Sequence, residues 1–278
     1  MELPEPSVLD RLADRGWPAL ERQELEGWTL RASSGVTNRA NSVLTAGPVA
    51  DVGRAVRAAE DWYGSRDLPA VFQVSPASPA ALADELRARG YRPHSQTDIL
   101  VAEANTVAAF DEPRVDGPTP DGVTVEDAPR PGWLDTWWSV DGRGGDAERS
   151  IVERILLGGP ALYAAADGAA ADGDADADGD ADADGDGNGD GNAGSPAAVA
   201  RLALVGEWGG LFAVATRPAA RRAGRARQLI LALAAAAESR GARRLWLQVL
   251  AENTAAAALY RSLGFERASH YCYWIAPS

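Results

Sequence analysis

The run LFAVAT at 211–216, followed by RRAGRAR at 221–227 and a helical pattern, decides how this chain folds. The apolar run predicts a strand, and Pro218 ends it. A strand, a glycine turn and a helix N-terminus together form an anion site, because the first N–H groups of a helix lack internal partners. Gly224 allows the backbone to approach a phosphate closely. The stretch therefore predicts a phosphate-binding turn between a strand and a helix.

A second pattern follows this turn along the chain. Residues 243–250 predict another strand, and the next helix ends at the Gly-Phe pair of 264–265. The turn itself lacks the Gly-Lys-Ser/Thr ending of the Walker loop and the spacing of the Rossmann fingerprint. Both of those nucleotide-binding motifs are therefore excluded.

The two patterns together resemble the GCN5-related N-acetyltransferase (GNAT) family over about residues 120 to 278. The family's Q/R-x-x-G-x-G/A loop matches Arg221, Gly224 and Ala226, and its Asn…Leu-Tyr…Gly-Phe signature matches Asn253, Leu259, Tyr260, Gly264 and Phe265. The resemblance implies an α+β fold with a mixed, mainly antiparallel sheet flanked by helices. It also implies acetyl-coenzyme A (acetyl-CoA) as co-substrate, held in a splay between two strands and attacked directly by a neutral amine.

The resemblance further implies a role for each matched residue. Backbone groups of Val214, Ala215 and Thr216 would pair with the pantetheine arm like an added strand. Arg221 opens the loop, and the N–H groups of Arg222, Ala223, Gly224, Arg225, Ala226 and Arg227 would hold the pyrophosphate. Asn253 would hydrogen-bond the arm. Tyr260 would be the general acid for the leaving thiolate, and the alternative is an aromatic side chain that only packs into the core.

No general base is predicted. Many relatives carry a glutamate where this chain has Gln248, and an amide cannot accept a proton. Glu207, Glu252 or a water chain are substitutes, although both glutamates also fit the description of surface charges. The missing glutamate leaves a second class of function open, a non-catalytic acetyl-CoA sensor. Cys272 lies on a predicted terminal strand, so a ping-pong route through it is not expected.

The N-terminal half resembles a degenerate copy of the same unit. FQV at 72–74, a helix and Gly90-Tyr91 mirror LQV at 247–249, a helix and the Gly-Phe pair, but Leu86 stands at the tyrosine position and the phosphate loop is missing. With WPALE at 17–21, this half resembles a two-lobed actinobacterial group that has N-acetylglutamate synthase-like members. We therefore expect two GNAT-like lobes, 1–113 and 120–278, with the cofactor site in the C-terminal lobe only.

The acceptor is predicted to be a primary amine. Arg39, Asn41 and Ser42, in a polar run between predicted strands, would face the acceptor cleft, and ordinary turn chemistry is the alternative. Glutamate is the first candidate because Arg39 can pair with a carboxylate. A protein N-terminus and a small-molecule amine such as an aminoglycoside stay open.

The net charge of −13 comes mostly from one segment of the chain. Ten aspartates lie between Asp167 and Asn192, and the remaining residues carry only −3. We predict that 166–195 is a disordered acidic insert in a hairpin, and a partner-binding scaffold is a third function class. Asp174 opens an EF-hand-like pattern, but Gly185 stands where that loop needs glutamate, so no metal site is predicted.

Composition narrows the partners and the compartment. The near-neutral remainder does not favour nucleic acid, and the longest apolar run, 229–237, is about half of a membrane span. One cysteine permits no internal disulfide, and two histidines leave little material for a zinc site. The first twenty residues carry no secretory pattern, so a cytoplasmic location is the expectation. The oligomeric state is not predicted.

Overall fold

The computed structural model describes residues 2–110, 122–168 and 195–276. These residues form one large sheet with helices on both faces, which confirms the predicted α+β class. The strands are β1 (Glu21–Leu25), β2 (Trp28–Ala32), β3 (Val43–Leu44), β4 (Val71–Val74), β5 (Arg92–Glu103), β6 (Val123–Glu126), β7 (Ala161–Ala166), β8 (Ala198–Val205), β9 (Trp208–Thr216), β10 (Arg244–Leu250) and β11 (Glu266–Ile275). The helices are α1 (Pro6–Gly16), α2 (Val52–Gly64), α3 (Leu82–Ala88), α4 (Ala104–Ala108), α5 (Trp133–Asp141), α6 (Asp146–Leu156), α7 (Arg225–Ser239) and α8 (Thr254–Ser262).

The two halves of the chain exchange a strand. The strand order is β1-β2-β3-β4-β11-β5-β10-β9-β8-β7-β6, so β11 lies beside β4 and β5 lies beside β10. Among the described strands only β3–β4 and β9–β10 are parallel neighbours. The sequence predicted a separate sheet for each lobe, but the exchange joins them into one sheet because each half's open edge is paired by the other half. The division at 113–120 falls outside the described residues and stays a prediction.

The predicted hairpin around the acidic segment is present as β7 and β8. These strands pair antiparallel from Ala161–Ala203 to Ala166–Ala198. Residues 169–194, which connect them, lie outside the described part of the chain. The predicted disorder of this insert and the EF-hand-like pattern at Asp174 therefore stay untested.

Side chains of the sheet alternate between two apolar cores. Leu247 packs with α7 and α8 on one face, and its neighbour Trp246 packs on the opposite face with residues of α1, α5 and α6. Helices α2 and α3 cover a third cluster around Phe72 in the N-terminal half. Gly210 makes room for Trp246, because a Cβ at Gly210 would lie 2.3 Å from the indole ring.

A buried ion-pair network fastens α1 to the N-terminal strands. Arg31 is 2% exposed, lies 3.3 Å from Asp14 and donates to Ser42 Oγ at 2.7 Å and to Gln73 Oε1 at 2.8 Å. Arg22 grips the same Asp14 carboxylate through both oxygens, at 2.9 and 2.7 Å. The network neutralises Arg31 inside the fold, as a buried charge requires.

Two aspartates of α1 should respond differently when each is replaced by asparagine. Burial raises the pKa of Asp10 from 3.8 to about 6. Burial opposes ionisation of Asp14 as well, but Arg31 and Arg22 outweigh it and lower its pKa. Between about pH 4 and pH 6 the unfolded chain therefore releases the Asp10 proton before the folded protein does. The free energy of unfolding therefore decreases from about pH 4 to pH 6 and stays lower at higher pH.

Asp10→Asn should consequently be neutral or stabilising at pH 8, where it removes the cost of a buried charge. Asp14→Asn should cost about 3 to 5 kcal/mol because it leaves Arg31 without its counter-ion. Urea unfolding of the wild type and of both variants at pH 5 and pH 8 measures this. A greater loss at pH 8 for Asp10→Asn than for Asp14→Asn would contradict the prediction.

Candidate active site

The parallel strands β9 and β10 separate partway along their length. Their last pair is Leu211–Leu247, although β9 continues to Thr216 and β10 to Leu250. A bulge at Ala213, where φ is +52°, shifts the register with β8 at the same level. Beyond the last pair, the β10-facing edge of β9 has no strand neighbour among the described residues. This edge is open to an extended ligand.

Helix α7 begins beside the open end of β9. Gly224 precedes it with φ at +73°, and no atom lies within 4 Å of the position that a Cβ would take. No group in the described ranges accepts a hydrogen bond from the backbone N–H of Arg225, Ala226 or Arg227. These free N–H groups carry the positive end of the helix dipole and fit a pyrophosphate.

Five arginines surround this turn, namely Arg217, Arg221, Arg222, Arg225 and Arg227. None forms an ion pair with another described residue. The Nε of Arg217 is buried without a hydrogen-bond partner in this part of the chain. Arg221 Nε donates to the Thr216 carbonyl at 3.2 Å, which fastens the loop to β9. The uncompensated charge favours a ligand that carries several phosphates.

Helix α8, which follows β10 along the chain, carries the signature asparagine and tyrosine. Asn253 Oδ1 accepts from the N–H of Ala256 at 3.1 Å and caps the helix, so its Nδ2 is left for a ligand. Tyr260 is 9% exposed and packs edge-on against Phe265, with ring centroids 6.0 Å apart. Burial raises the pKa of Tyr260 to about 12, and Arg39 opposes that rise. The phenol therefore stays protonated and can hydrogen-bond a departing thiolate, although the raised pKa makes it a weaker acid than an ordinary tyrosine.

The opposite side of the splay contains residues from both halves of the chain. Gln248 is the first residue of β10 beyond the last β9 pair, and its Oε1 accepts from Arg39 Nε at 2.8 Å. Arg39 comes from the loop between β2 and β3, and its Cζ lies 5.8 Å from the centroid of the Trp17 ring. Burial opposes the charge of Arg39, but Tyr271 and Tyr273 beside it outweigh burial, and its pKa is raised. Sequence reasoning had found Arg39 and Gln248 separately but not their contact.

Asn41 and Ser42, predicted to face the acceptor, hold the β2–β3 loop together instead. Asn41 accepts from two loop N–H groups at 2.7 and 2.8 Å, and its amide donates to two loop carbonyls. Ser42 is fully buried, donates to the Asn38 carbonyl at 2.7 Å and accepts from Arg31. The hydrogen-bonding groups of Asn41 are all used and Ser42 is fully buried, so neither side chain is assigned to the acceptor site.

Glu207 is too distant to serve as the base. It lies in the β8–β9 turn, 3.4 Å from Arg243, whereas Gln248 follows four residues after the start of β10. That spacing along a strand corresponds to roughly 13 Å. Glu252 is exposed in the turn before α8. Burial raises the pKa of the Cys272 thiol on β11, which disfavours the thiolate that a nucleophile needs.

Within residues 2–110, 122–168 and 195–276, no three His, Cys, Asp or Glu side chains are grouped as metal ligands would be. No helix there has the length and apolar character to cross a bilayer. The cytoplasmic location stays a prediction from the sequence.

The resemblance predicted that acetyl-CoA lies in a splay between two strands, and β9 and β10 provide that splay next to the arginine-rich turn. The fold is that of the GCN5-related N-acetyltransferases. The chain belongs to the family described as "Probable histone acetyltransferase Rv0428c C-terminal", whose model matches residues 7–274.

Individual proteins agree with this assignment. The "Uncharacterized N-acetyltransferase YobR" of Bacillus subtilis is 27% identical over 270 residues, which are 96% of this chain and 97% of that protein. The ribosomal protein bS18-alanine N-acetyltransferase of Escherichia coli is 43% identical over 76 residues, 27% of this chain and 51% of that protein. The solved GCN5-related N-acetyltransferase from Kribbella flavida has a TM-score of 0.63 at 14% identity and covers 98% of this chain and 96% of its own, which shows a common fold. These relatives include proteins from Bacillus and Escherichia, so the resemblance to an actinobacterial group stays a prediction.

Proposed function

We propose that this GNAT enzyme transfers the acetyl group of acetyl-CoA to a primary amine by direct attack. The observation that carries the proposal is the β9–β10 splay, with Tyr260 on the α7–α8 side and the Arg39–Gln248 pair on the other. A cofactor that enters from the α7–α8 side would meet an acceptor from the opposite side at the gap between the strands. Such an arrangement aligns the two reactants and lowers the entropic cost of their encounter.

Backbone and side-chain groups of the C-terminal half bind acetyl-CoA along its length. The N–H groups of 222–227 hold the pyrophosphate, and the open edge of β9 at 214–216 pairs with the pantetheine arm. Asn253 Nδ2 donates to the same arm. Acetyl-CoA supplies an activated acyl group and a thiolate leaving group. The amine nitrogen bonds to the acetyl carbon as the carbon–sulfur bond breaks, Tyr260 donates the proton that the thiolate takes up, and the proton that the amine loses passes to water, which reprotonates Tyr260.

The N-terminal half contains a similar pair of strands that is closed by its own side chains. The parallel pair β3–β4 ends at Leu44–Gln73. Thr45 Oγ1 donates to the Gln73 carbonyl at 2.6 Å and lies 2.6 Å from Ser78 Oγ. Asp51 caps α2 and accepts from the Arg54 N–H at 2.9 Å, at the helix end where α7 has Gly224. These contacts support a cofactor site in the C-terminal half only.

Three acceptors are candidates within the proposed reaction. Glutamate is the first, because Arg39 is a cation at the acceptor side of the splay. A protein N-terminus is supported by the bS18-alanine N-acetyltransferase, which its name assigns to an alanine of a ribosomal protein. A small-molecule amine is the third. The second function class is a non-catalytic acetyl-CoA sensor. It stays open because this chain has Gln248 where many relatives carry a glutamate.

Calorimetric titration of acetyl-CoA, followed by an assay for released coenzyme A thiol, tests the proposal. We expect saturable binding and amine-dependent thiol release with glutamate, an alanine-terminated peptide or an aminoglycoside. Binding without release for every amine would favour the sensor. Absence of binding would overturn both.

A further inference from the structure

The guanidinium of Arg39 is anchored to Gln248 on one side. Its Nε donates to Gln248 Oε1 at 2.8 Å, and among the described residues the Tyr271 hydroxyl lies near enough to act as a further hydrogen-bond partner. The side chain is half-buried, packs over the Trp17 ring and forms no ion pair within the described ranges. A half-buried cation without a counter-ion is unusual, because burial penalises an isolated charge.

The other half of the molecule contains a natural comparison. Gln73 occupies the position on β4 that Gln248 occupies on β10, and it also accepts from an arginine, Arg31 Nη2, at 2.8 Å. That arginine has a counter-ion, because the Asp14 carboxylate lies 3.3 Å away. Each half of the chain therefore contains a glutamine–arginine pair. The Asp14 carboxylate neutralises Arg31 in the first pair, whereas Arg39 in the second pair stays positively charged beside the splay.

The groups around Arg39 leave its charge largely uncompensated. Burial raises the pKa of Tyr273 well above its ordinary value, so this phenol stays neutral. Asp141, at the end of α5, is exposed to solvent and is the carboxylate that acts on Arg39. Solvent screens a charge in such a position. The Nη1 and Nη2 groups that Gln248 does not engage match the two oxygens of a carboxylate, which would replace the uncharged Tyr271 hydroxyl as a hydrogen-bond partner.

We propose that Arg39 binds a carboxylate of the acceptor, and that Gln248 is the specificity-determining residue that keeps Arg39 available for it. An amide at 248 orients the guanidinium without neutralising it, whereas a glutamate there would form an internal ion pair. Gln248, in the place where many relatives carry a glutamate, thus makes the site selective for amines that carry a carboxylate. This inference rests on the proposed acetyl transfer.

The test compares amino acids with their amides, alanine against alaninamide and glutamate against its α-amide, at a pH where every acceptor amine is neutral, because amidation also lowers the pKa of the amine. We expect Gln248→Glu to reduce the acid-to-amide ratio of kcat/KM by about 10- to 100-fold, since a hydrogen-bonded charge is lost. The change should appear in KM for the acids, with kcat for the amides little affected. Arg39→Met should have the same effect, and Arg39→Lys should restore part of the preference.

A matched control adds the same charge elsewhere. Gln23→Glu, on the exposed edge strand β1, should leave the acid-to-amide ratio unchanged. A ratio that Gln248→Glu does not change, or that Gln23→Glu lowers equally, would overturn the role of Gln248. A wild type that does not favour the acids would overturn the carboxylate site itself.

A binding measurement separates this inference from the proposed reaction. N-acetylalanine and N-acetylglutamate are titrated against the protein saturated with coenzyme A, beside their amides. If no amine is acetylated but the acids bind more tightly than the amides, the reaction fails and the carboxylate site stands. Equal binding, or no binding of either acid, would overturn the carboxylate site whatever the assay of turnover shows.

Discussion

Replacement of Gly224 by aspartate should abolish measurable acetyl-CoA binding while the protein stays folded. The backbone at Gly224 is left-handed, with φ at +73°, a conformation that Asp and Asn tolerate better than most residues. A Cβ there meets no atom within 4 Å, so the side chain has room. Its carboxylate would cap α7 as Asp51 caps α2, and it would put a negative charge where the pyrophosphate binds.

We expect binding to weaken at least about 100-fold, as like charges in contact cost several kcal/mol. Gly224→Asn has the same shape without the charge and should lose only about tenfold. Gly241→Asp supplies a control at the other end of α7, since Gly241 is also left-handed, with φ at +88° and open space around it. It should leave affinity unchanged. Calorimetry and thermal unfolding of the three variants decide this, and unchanged affinity in Gly224→Asp would contradict the phosphate site.

Replacement of Tyr260 by phenylalanine should lower kcat by about 100- to 1000-fold, the usual worth of a positioned proton donor. The affinity for acetyl-CoA should barely change, because the hydroxyl has no hydrogen-bond partner among the described residues and the ring keeps its contact with Phe265. Tyr91→Phe is the matched control. It removes a tyrosine hydroxyl that bonds Glu60 at 3.1 Å in the N-terminal half, away from the splay. Equal loss of turnover in both variants would point to stability rather than proton donation.

The pH dependence provides a second check on Tyr260. Because burial raises its pKa to about 12, the folded protein keeps the phenolic proton through the whole range in which amines lose theirs. The rate should therefore rise with pH as the acceptor becomes neutral, without a descending limb from Tyr260 below about pH 11. Tyr260 lowers the free energy of unfolding only above about pH 10, because there the tyrosine of the unfolded chain ionises while the folded one stays protonated. A descending limb near pH 8 that Tyr260→Phe removes would contradict this.

The elements of the C-terminal half follow from local patterns. The apolar run of β9, the glycine before α7 and the Asn253 cap of α8 all act within a few residues of chain, and short-range sterics and hydrogen bonding determine them. The strand and helix predicted in the N-terminal half are likewise present, as β4 around 72–74 and α3 after it.

The amino-acid sequence by itself therefore indicated the fold class, the strand, turn and helix around Gly224, and the family. Only the tertiary structure decided that β5 and β11 are exchanged, that Asn41 and Ser42 are consumed by their own loop, and that Arg39 meets Gln248 across 209 positions of sequence. The physical reason is that a strand's alternation shows which faces are buried but not which strand is its neighbour. The sequence likewise does not show which groups will hydrogen-bond to a polar side chain, because those partners come from distant segments that meet only in the folded protein.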